Sequence, residues 1–557
     1  TLLSNSSGSF VGGTSTVTIP TGTTSINSTG FTGSNALYNL TFSNVGTKTL
    51  DAALDVANNT TISAGSLDTN SSGNYTLTTG RLIIANSASA SINLRGSSTL
   101  VLNASSGTLL TKGAGGVFTA GASSTVQVVS DGDITFLSGA TTIKNLTFSP
   151  TLTGSHTYTI GSVPTLSGTA TFTINPSGSG TLTVSPSATT VMGSSVDLIV
   201  QGTGSAIGKL DTTGSNYAMT FGTMSIGNNG QVVLNGSTIT LGGASTLLSL
   251  SGTGSFNRGT STIIISSVSN VNLNTTGFIG SNKLYNLSTN NINTRTLGAA
   301  IEIEGTLSIT NGVFDTDSTN SYALTAGFIT LANTAGTIFR VRNSVVTLTG
   351  TSGTLFTKGA ASTFTVGAST FSLESASGAP SFISTALTFH KLRIDSDATV
   401  INEGAAITIN NVSGAQLYIK KGVFNTNLGI TGPGSGNGTL QIDATGTLCL
   451  GGTVSASNTS ATCNTGATST TARAMPTFQT YTFDPASTVI YLSDASTTIS
   501  SSPTYGNLII LPTLTASRAY TLGNTLSVTG NFDSNPNGGG AARAVTTSLT
   551  TGGMSVT

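Results

Sequence analysis

Thr171-Phe172-Thr173-Ile174-Asn175-Pro176-Ser177-Gly178-Ser179-Gly180-Thr181-Leu182-Thr183-Val184 sets the reading of the whole chain. Polar and apolar residues alternate in two short runs, and Asn, Pro, Ser and Gly separate the runs. A period of two sends successive side chains to opposite faces, as in a half-buried strand. β-Branched residues dominate, as strands favour. Gly, Ser and Asn supply turns and positive φ. The same texture extends outward in both directions, to Thr16-Val17-Thr18-Ile19 and to Ser237-Thr238-Ile239-Thr240-Leu241. The predicted strands are about 4 to 7 residues long and recur roughly every 7 to 12 residues. No helical stretch of useful length stands out.

The chain repeats itself. Gly30-Phe31-Thr32-Gly33-Ser34-Asn35-Ala36-Leu37-Tyr38-Asn39-Leu40 returns as Gly277-Phe278-Ile279-Gly280-Ser281-Asn282-Lys283-Leu284-Tyr285-Asn286-Leu287. Two shorter signatures recur within this long repeat. One is an aromatic followed by a Ser/Thr strand: Phe10 with Ser15-Thr16-Val17, Phe118 with Ser124-Thr125-Val126, Phe256 with Ser261-Thr262-Ile263, Phe364 with Ser369-Thr370-Phe371, and Phe483 with Ser487-Thr488-Val489. The other follows each of these a little further along the chain: Asn39-Leu40, Asn145-Leu146, Asn286-Leu287, Lys391-Leu392 and Asn507-Leu508. The 557 residues therefore read as one continuous repetitive segment, with a long repeat over 1–245 and 246–482 and a partial third over 483–557. Thr1-Leu2-Leu3 aligns with Thr246-Leu247-Leu248, and the run from Leu549 to Val556 aligns with that from Leu77 to Ile84. Neither end shows the atypical capping repeat of a self-contained repeat protein. The expectation is a fragment of a longer chain, with any signal peptide already removed.

Composition narrows the class. Only 7% of residues are charged, against about 25% in an ordinary soluble domain. The 19 basic and 19 acidic residues balance and are dispersed, which leaves no electrostatic footprint for nucleic acid or an anionic membrane. No apolar run is long enough for a transmembrane helix. Disorder pairs low hydrophobicity with high net charge, whereas this chain has zero net charge and a mean hydropathy of +0.21. Collagen's Gly period is absent.

Two all-β architectures fit. A parallel β-helix, or β-solenoid, would use coils of three short strands, roughly 20–25 coils in all, for a rod on the order of 100 to 120 Å at about 4.8 Å per coil. The alternative is an array of tandem β-sandwich modules, whose cores lean on large aromatics such as Trp; the chain has no Trp. Uniform texture without linkers favours the solenoid. Its stacking also accounts for the low charge. Like charges stacked in register repel, while stacked Thr, Ser and Asn form hydrogen-bonded ladders.

The Phe…Ser-Thr-Val strands, the Tyr-x-Asn-Leu strands and the run from Thr521 to Asp533, echoed from Leu307 to Asp315, resemble the long β-strand-repeat surface proteins of bacteria and archaea. These look broadly like adhesin or autotransporter passengers. The resemblance implies a secreted, cell-surface β-helical stalk or fibre, and it carries no catalytic residue across.

Chemistry-bearing residues are sparse. Cys449 and Cys463 flank a loop-like stretch and read either as one disulfide or as two free thiols; no CxxC or Cys/His cluster suggests zinc or redox chemistry. The two histidines, His156 and His390, read as surface or strand-end residues. Three carboxylate pairs, Asp131/Asp133, Asp315/Asp317 and Asp395/Asp397, read as turn residues first, then as weak Ca²⁺ ligands, and last as a glycosidase pair. Asn-x-Ser/Thr sequons, including Asn39, Asn74, Asn103, Asn145, Asn274, Asn286, Asn411 and Asn458, are as frequent as chance gives in so Ser/Thr-rich a chain. Thr-x-Thr positions are too scattered for an ice-binding face.

The expectation is an extracellular or cell-surface structural protein that is not an enzyme and needs no cofactor. It would be a stalk, filament or sheath component that self-associates. The alternative is an adhesin or glycan-binding β-helix contacting a host, a neighbour cell or a polysaccharide.

Overall fold

The computed structural model describes residues 8–20, 22, 24–162, 164–398, 401–452, 463, 469–522, 524–534, 537–538 and 545–548. Thr1-Leu2-Leu3, the run from Leu549 to Val556, and most of the stretch between the two cysteines, Asn458 included, lie outside these residues. The chain divides into two compact units, 1–285 and 286–557. Each is a stack of parallel coils, and the coils of a β-solenoid number about 21 in all. The only helical turns among the described residues are two short 3₁₀ segments, Gly33–Asn35 and Gly280–Asn282, which stand at equivalent places in the long repeat. No helix is long and apolar enough to cross a membrane.

The alternation in Ala170–Ile174 becomes a burial pattern. Ala170, Phe172 and Ile174 are buried, while Thr171 and Thr173 face outward. This strand lies in register between Asn145–Phe148 and Val196–Val200. Leu146, Phe172, Leu198, Met224 and Leu248 thus form one inward column, each contributed by the next coil. A second column runs through Ile134, Tyr158, Val184, Leu210, Val232 and Phe256. A third links Met219, Ile239 and Ile263. Three strand tracks per coil enclose the core, and each fully buried Leu, Ile or Phe contributes roughly 1.5–3 kcal/mol.

The second unit repeats the scheme. Val346, Phe371, Leu392, Leu417 and Leu440 form one column. Phe424, Leu448, Val489 and Leu508 form another. Every registered strand pair among the described residues is parallel. Sandwich modules require antiparallel pairing, so tandem sandwiches are excluded.

The two sequence signatures prove to be neighbours. The Ser-Thr-Val strand of one coil pairs directly with the Asn-Leu strand of the next: Thr16 with Asn39, Thr125 with Asn145, Thr370 with Lys391, and Thr488 with Asn507. The serine closes a tight turn ahead of its strand. Ser124 Oγ donates to Gly121 O at 3.1 Å, and Ser487 Oγ donates to Asp484 O at 2.7 Å. The asparagine clamps three coils together. Asn145 Nδ2 donates back to Ser124 O at 3.3 Å, and its Oδ1 accepts Thr171 N–H from the following coil at 3.1 Å. Asn507 does the same, donating to Ser487 O and accepting from Asn531 N–H.

Some strands are much longer than the short runs that the alternation predicts. Asn39–Leu50 and Leu54–Asp68 run for 12 and 15 residues, as do Asn286–Leu297 and Ile301–Asp315. Each long strand turns a corner without breaking, through register shifts such as those between Phe42, Ser43 and Thr47. Glycine makes the bend feasible. Gly65 has φ +80°, and a Cβ there would sit 2.3 Å from Asn44 O. Gly312, its counterpart, has φ +76°, and a Cβ would sit 2.0 Å from Asn291 O.

Candidate functional site

Several charged side chains in this fold find a partner about one coil away along the chain. Asp68, only 6% exposed, receives a fork from Arg95 on the following coil, with Nε donating to Oδ2 at 2.8 Å. The long repeat copies the pair: Arg342 Nε and Nη2 donate to the Asp315 carboxylate at 3.0 and 2.6 Å. Asp494 is buried and accepts from Arg518 Nε at 2.8 Å and from Thr515 N–H at 3.0 Å. Asp395 meets Lys420 at 2.9 Å and also Arg393, and Asp397 meets Lys421.

Asp131 and Asp133 do converge with a histidine. His156 Nε2 lies 3.1 Å from Asp131 Oδ1, and Nδ1 lies 3.7 Å from Asp133 Oδ1. The Thr153 hydroxyl and amide also hold Asp131, and they keep its carboxyl below the usual range. His156 begins the strand His156–Ile160. His390, expected at a surface or strand end, stands at a strand end, between two strands, and is buried rather than on the surface, with Nδ1 3.3 Å from Asn410 Oδ1. Leu387–Phe389 and Lys391–Asp395 flank it on two tracks, so it sits at a corner covered by the adjoining coil. Among the described residues, no group of three or more His, Cys, Asp and Glu side chains is arranged to hold a metal ion.

Burial raises the Asp494 carboxyl, but Arg518 and Thr515 outweigh it and hold the pKa below the ordinary value. The same balance lowers Asp68 and Asp395. A depressed folded pKa stabilises at every pH above the unfolded value, near 4, and that stabilisation is lost as pH falls through the folded value. Below about pH 4 the unfolding midpoint should therefore fall as these three carboxylates are protonated. Asp494→Asn should cost about 2 kcal/mol at pH 7 and flatten the acid limb. An unchanged acid limb in the variant would contradict this assignment.

Cys449 and Cys463 are joined, with Cα atoms 5.8 Å apart. Cys449 alternates with Leu448 and Leu450 and so points out of the coil. There it packs with Cys463, Val423, Ile490 and Leu492 in a second apolar cluster on the outer face. Closing this loop should contribute about 3 kcal/mol. Reductant should lower the denaturation midpoint of the wild-type chain to that of Cys463→Ser, and a midpoint indifferent to both would refute the contribution.

Among the described residues, Glu403 is the one carboxylic acid whose pKa is raised. It is fully buried, and its Oε1 accepts the amides of Leu428 and Gly429, the latter at 3.0 Å. Its Oε2 has no partner. Burial pushes its pKa up to about 8 against the pull of those amides and of Arg473. In sequence it looks isolated, because its partners lie one coil or more away along the chain.

Most phenylalanine rings pack inward, while Tyr38, Tyr75, Tyr285, Tyr322 and Tyr418 are half-buried. Phe148 stacks edge-on against Phe136, Tyr158 and Phe172. Phe356, Phe371 and Phe389 continue a similar cluster in the second unit. Phe532 alone among the described Phe residues is exposed.

No protein-family model, curated protein or solved structure matches the chain.

Proposed function

We propose that this chain is an extracellular structural protein, a section of a surface stalk, filament or sheath, and that it performs no catalysis. One observation carries the reading: the polar side chains that chemistry would need are used to tie coil to coil. Arg95, Arg342, Lys420 and Arg518 neutralise carboxylates of the preceding coil, and the Asn145 and Asn507 amides clamp coils on both sides. The Cys449–Cys463 bond suits an oxidising, extracellular setting. The adhesin reading, in the manner of autotransporter passengers, draws less support, since most phenylalanine rings pack inside the coils. The reading requires no metal or cofactor.

Antibody labelling of intact producing cells, followed by electron microscopy of the sheared surface material, tests it. The expected result is label on intact cells and on extended structures. Label only after lysis, or on compact particles, would overturn the proposal.

A further inference from the structure

The second unit carries a split in its coil wall. On one track, Leu387–Phe389, Ile407–Ile409 and Ile430–Thr431 stack in parallel, and the sheet stops at Ile430–Thr431. The next run along that side, residues 472–477, is not a strand. It leans away where Arg473 N–H donates to Ser493 Oγ at 3.1 Å, and it rejoins where Thr477 O accepts Gly434 N–H at 3.1 Å. Between the two runs lies a groove of about 590 Å³, lined by Leu428 to Gly432 and by Arg473 to Thr477. That volume is within the range of ligand sites.

Three features describe what the groove would take. One wall is the two-residue strand Ile430–Thr431, whose outer edge pairs with no further strand among the described residues, and such an edge pairs readily with an added extended chain. Leu428, 45% exposed, and the buried Met475 give it apolar walls. Arg473 is its one charged lining residue. The Arg473 Nε donates to Asn427 O, and among the described residues its Nη atoms meet no acceptor. Glu403 lies behind Leu428 and Gly429, its Oε1 is engaged by their amides, and burial pushes its pKa up, which weakens its offset of that charge.

We propose that this groove binds an extended acidic peptide, whose backbone adds as a strand to Ile430–Thr431 and whose carboxylate meets the Arg473 guanidinium. The site is separate from the stalk role and would give the solenoid a docking point for another protein's segment. Every neighbouring strand is parallel. A peptide added in the same sense brings a residue ahead of its apolar run to the Arg473 end.

The probe is acetyl-Asp-Gly-Ile-Thr-Ile-amide, titrated calorimetrically into the full chain, with acetyl-Lys-Gly-Ile-Thr-Ile-amide as its charge-reversed partner. The acidic peptide should bind, and Arg473→Gln should weaken it about tenfold or more, since a charge-assisted bidentate contact is lost. The Lys peptide should bind at least as weakly to the unaltered chain, which reads the charge preference without any change to the protein. No binding at millimolar peptide, equal affinity for the two peptides, or saturable binding of oligogalacturonate in place of the peptide would each overturn the proposal.

Discussion

Phe371→Ala is expected to lower the unfolding free energy of the second unit by about 3–5 kcal/mol. Phe371 is fully buried and sits in register between Val346 and Leu392. Its ring lies 5.9 Å from Phe356, 5.5 Å from Phe364 and 5.1 Å from Phe389. Truncation removes the transfer energy of the ring and leaves a cavity. The coils above and below are held at strand spacing by main-chain bonds, so they cannot close in to fill it. The cost should therefore fall in the upper part of the range. Thr363→Ala, on an exposed position of the same region, should stay within about 0.5 kcal/mol. Chemical denaturation of both variants checks the contrast. Because each coil contacts mainly its neighbours, hydrogen exchange in Phe371→Ala should quicken most in the strands that flank the lesion. A loss below about 1 kcal/mol would mean that the column is not closely packed.

Gly312→Asn, at a buried bend, should cost more than about 3 kcal/mol. Asn tolerates positive φ better than other side chains, so the backbone angle alone is a modest penalty. What forbids the substitution is space: a Cβ would lie 2.0 Å from Asn291 O and 2.6 Å from Asn293 O. Those carbonyls belong to the adjoining long strand at its own register shift, so they cannot retreat without undoing the corner. Gly353 provides the control. It has φ +68° with open space around the Cβ position, and Gly353→Asn should be nearly neutral. Gly65→Asn should reproduce the large effect in the first unit, where Asn44 O stands 2.3 Å from the Cβ position. Equal, small effects at Gly312 and Gly353 would contradict the close-approach account.

Particular residues show what can be read in advance. Thr171 to Val184 carries its strands openly, because alternation and turn residues are local signals. The parallel stacking follows from repetition and from the uniform texture, which leave no place for linkers. The Ser-Thr-Val and Asn-Leu signatures are legible as landmarks but not as a bonded pair, since nothing local says that Asn145 reaches back to Ser124. The corner strands are hidden for the same reason. Asn39–Leu50 contains Gly46, which reads as a break, yet the strand resumes its pairing with the neighbouring coil at Thr47, after a register shift. The ion pairs carry a usable signal that local reading misses. Asp68 with Arg95, Asp395 with Lys420 and Asp494 with Arg518 each join residues about one coil apart in the chain, as does the contact of Asp131 with the His156 ring. Scanning the charges at the coil step finds all four. Glu403 and Arg473 do not emerge that way, because the step lengthens between them: Leu440 pairs with Tyr481, well beyond the usual coil length.

Electron cryomicroscopy of the purified chain, at a resolution that separates strands, tests the central claim most directly. The account predicts parallel strands about 4.8 Å apart, with Phe172 lying between Leu146 and Leu198 in one inward column. Antiparallel hairpins, or Phe172 facing a residue from its own coil across a sandwich, would contradict it.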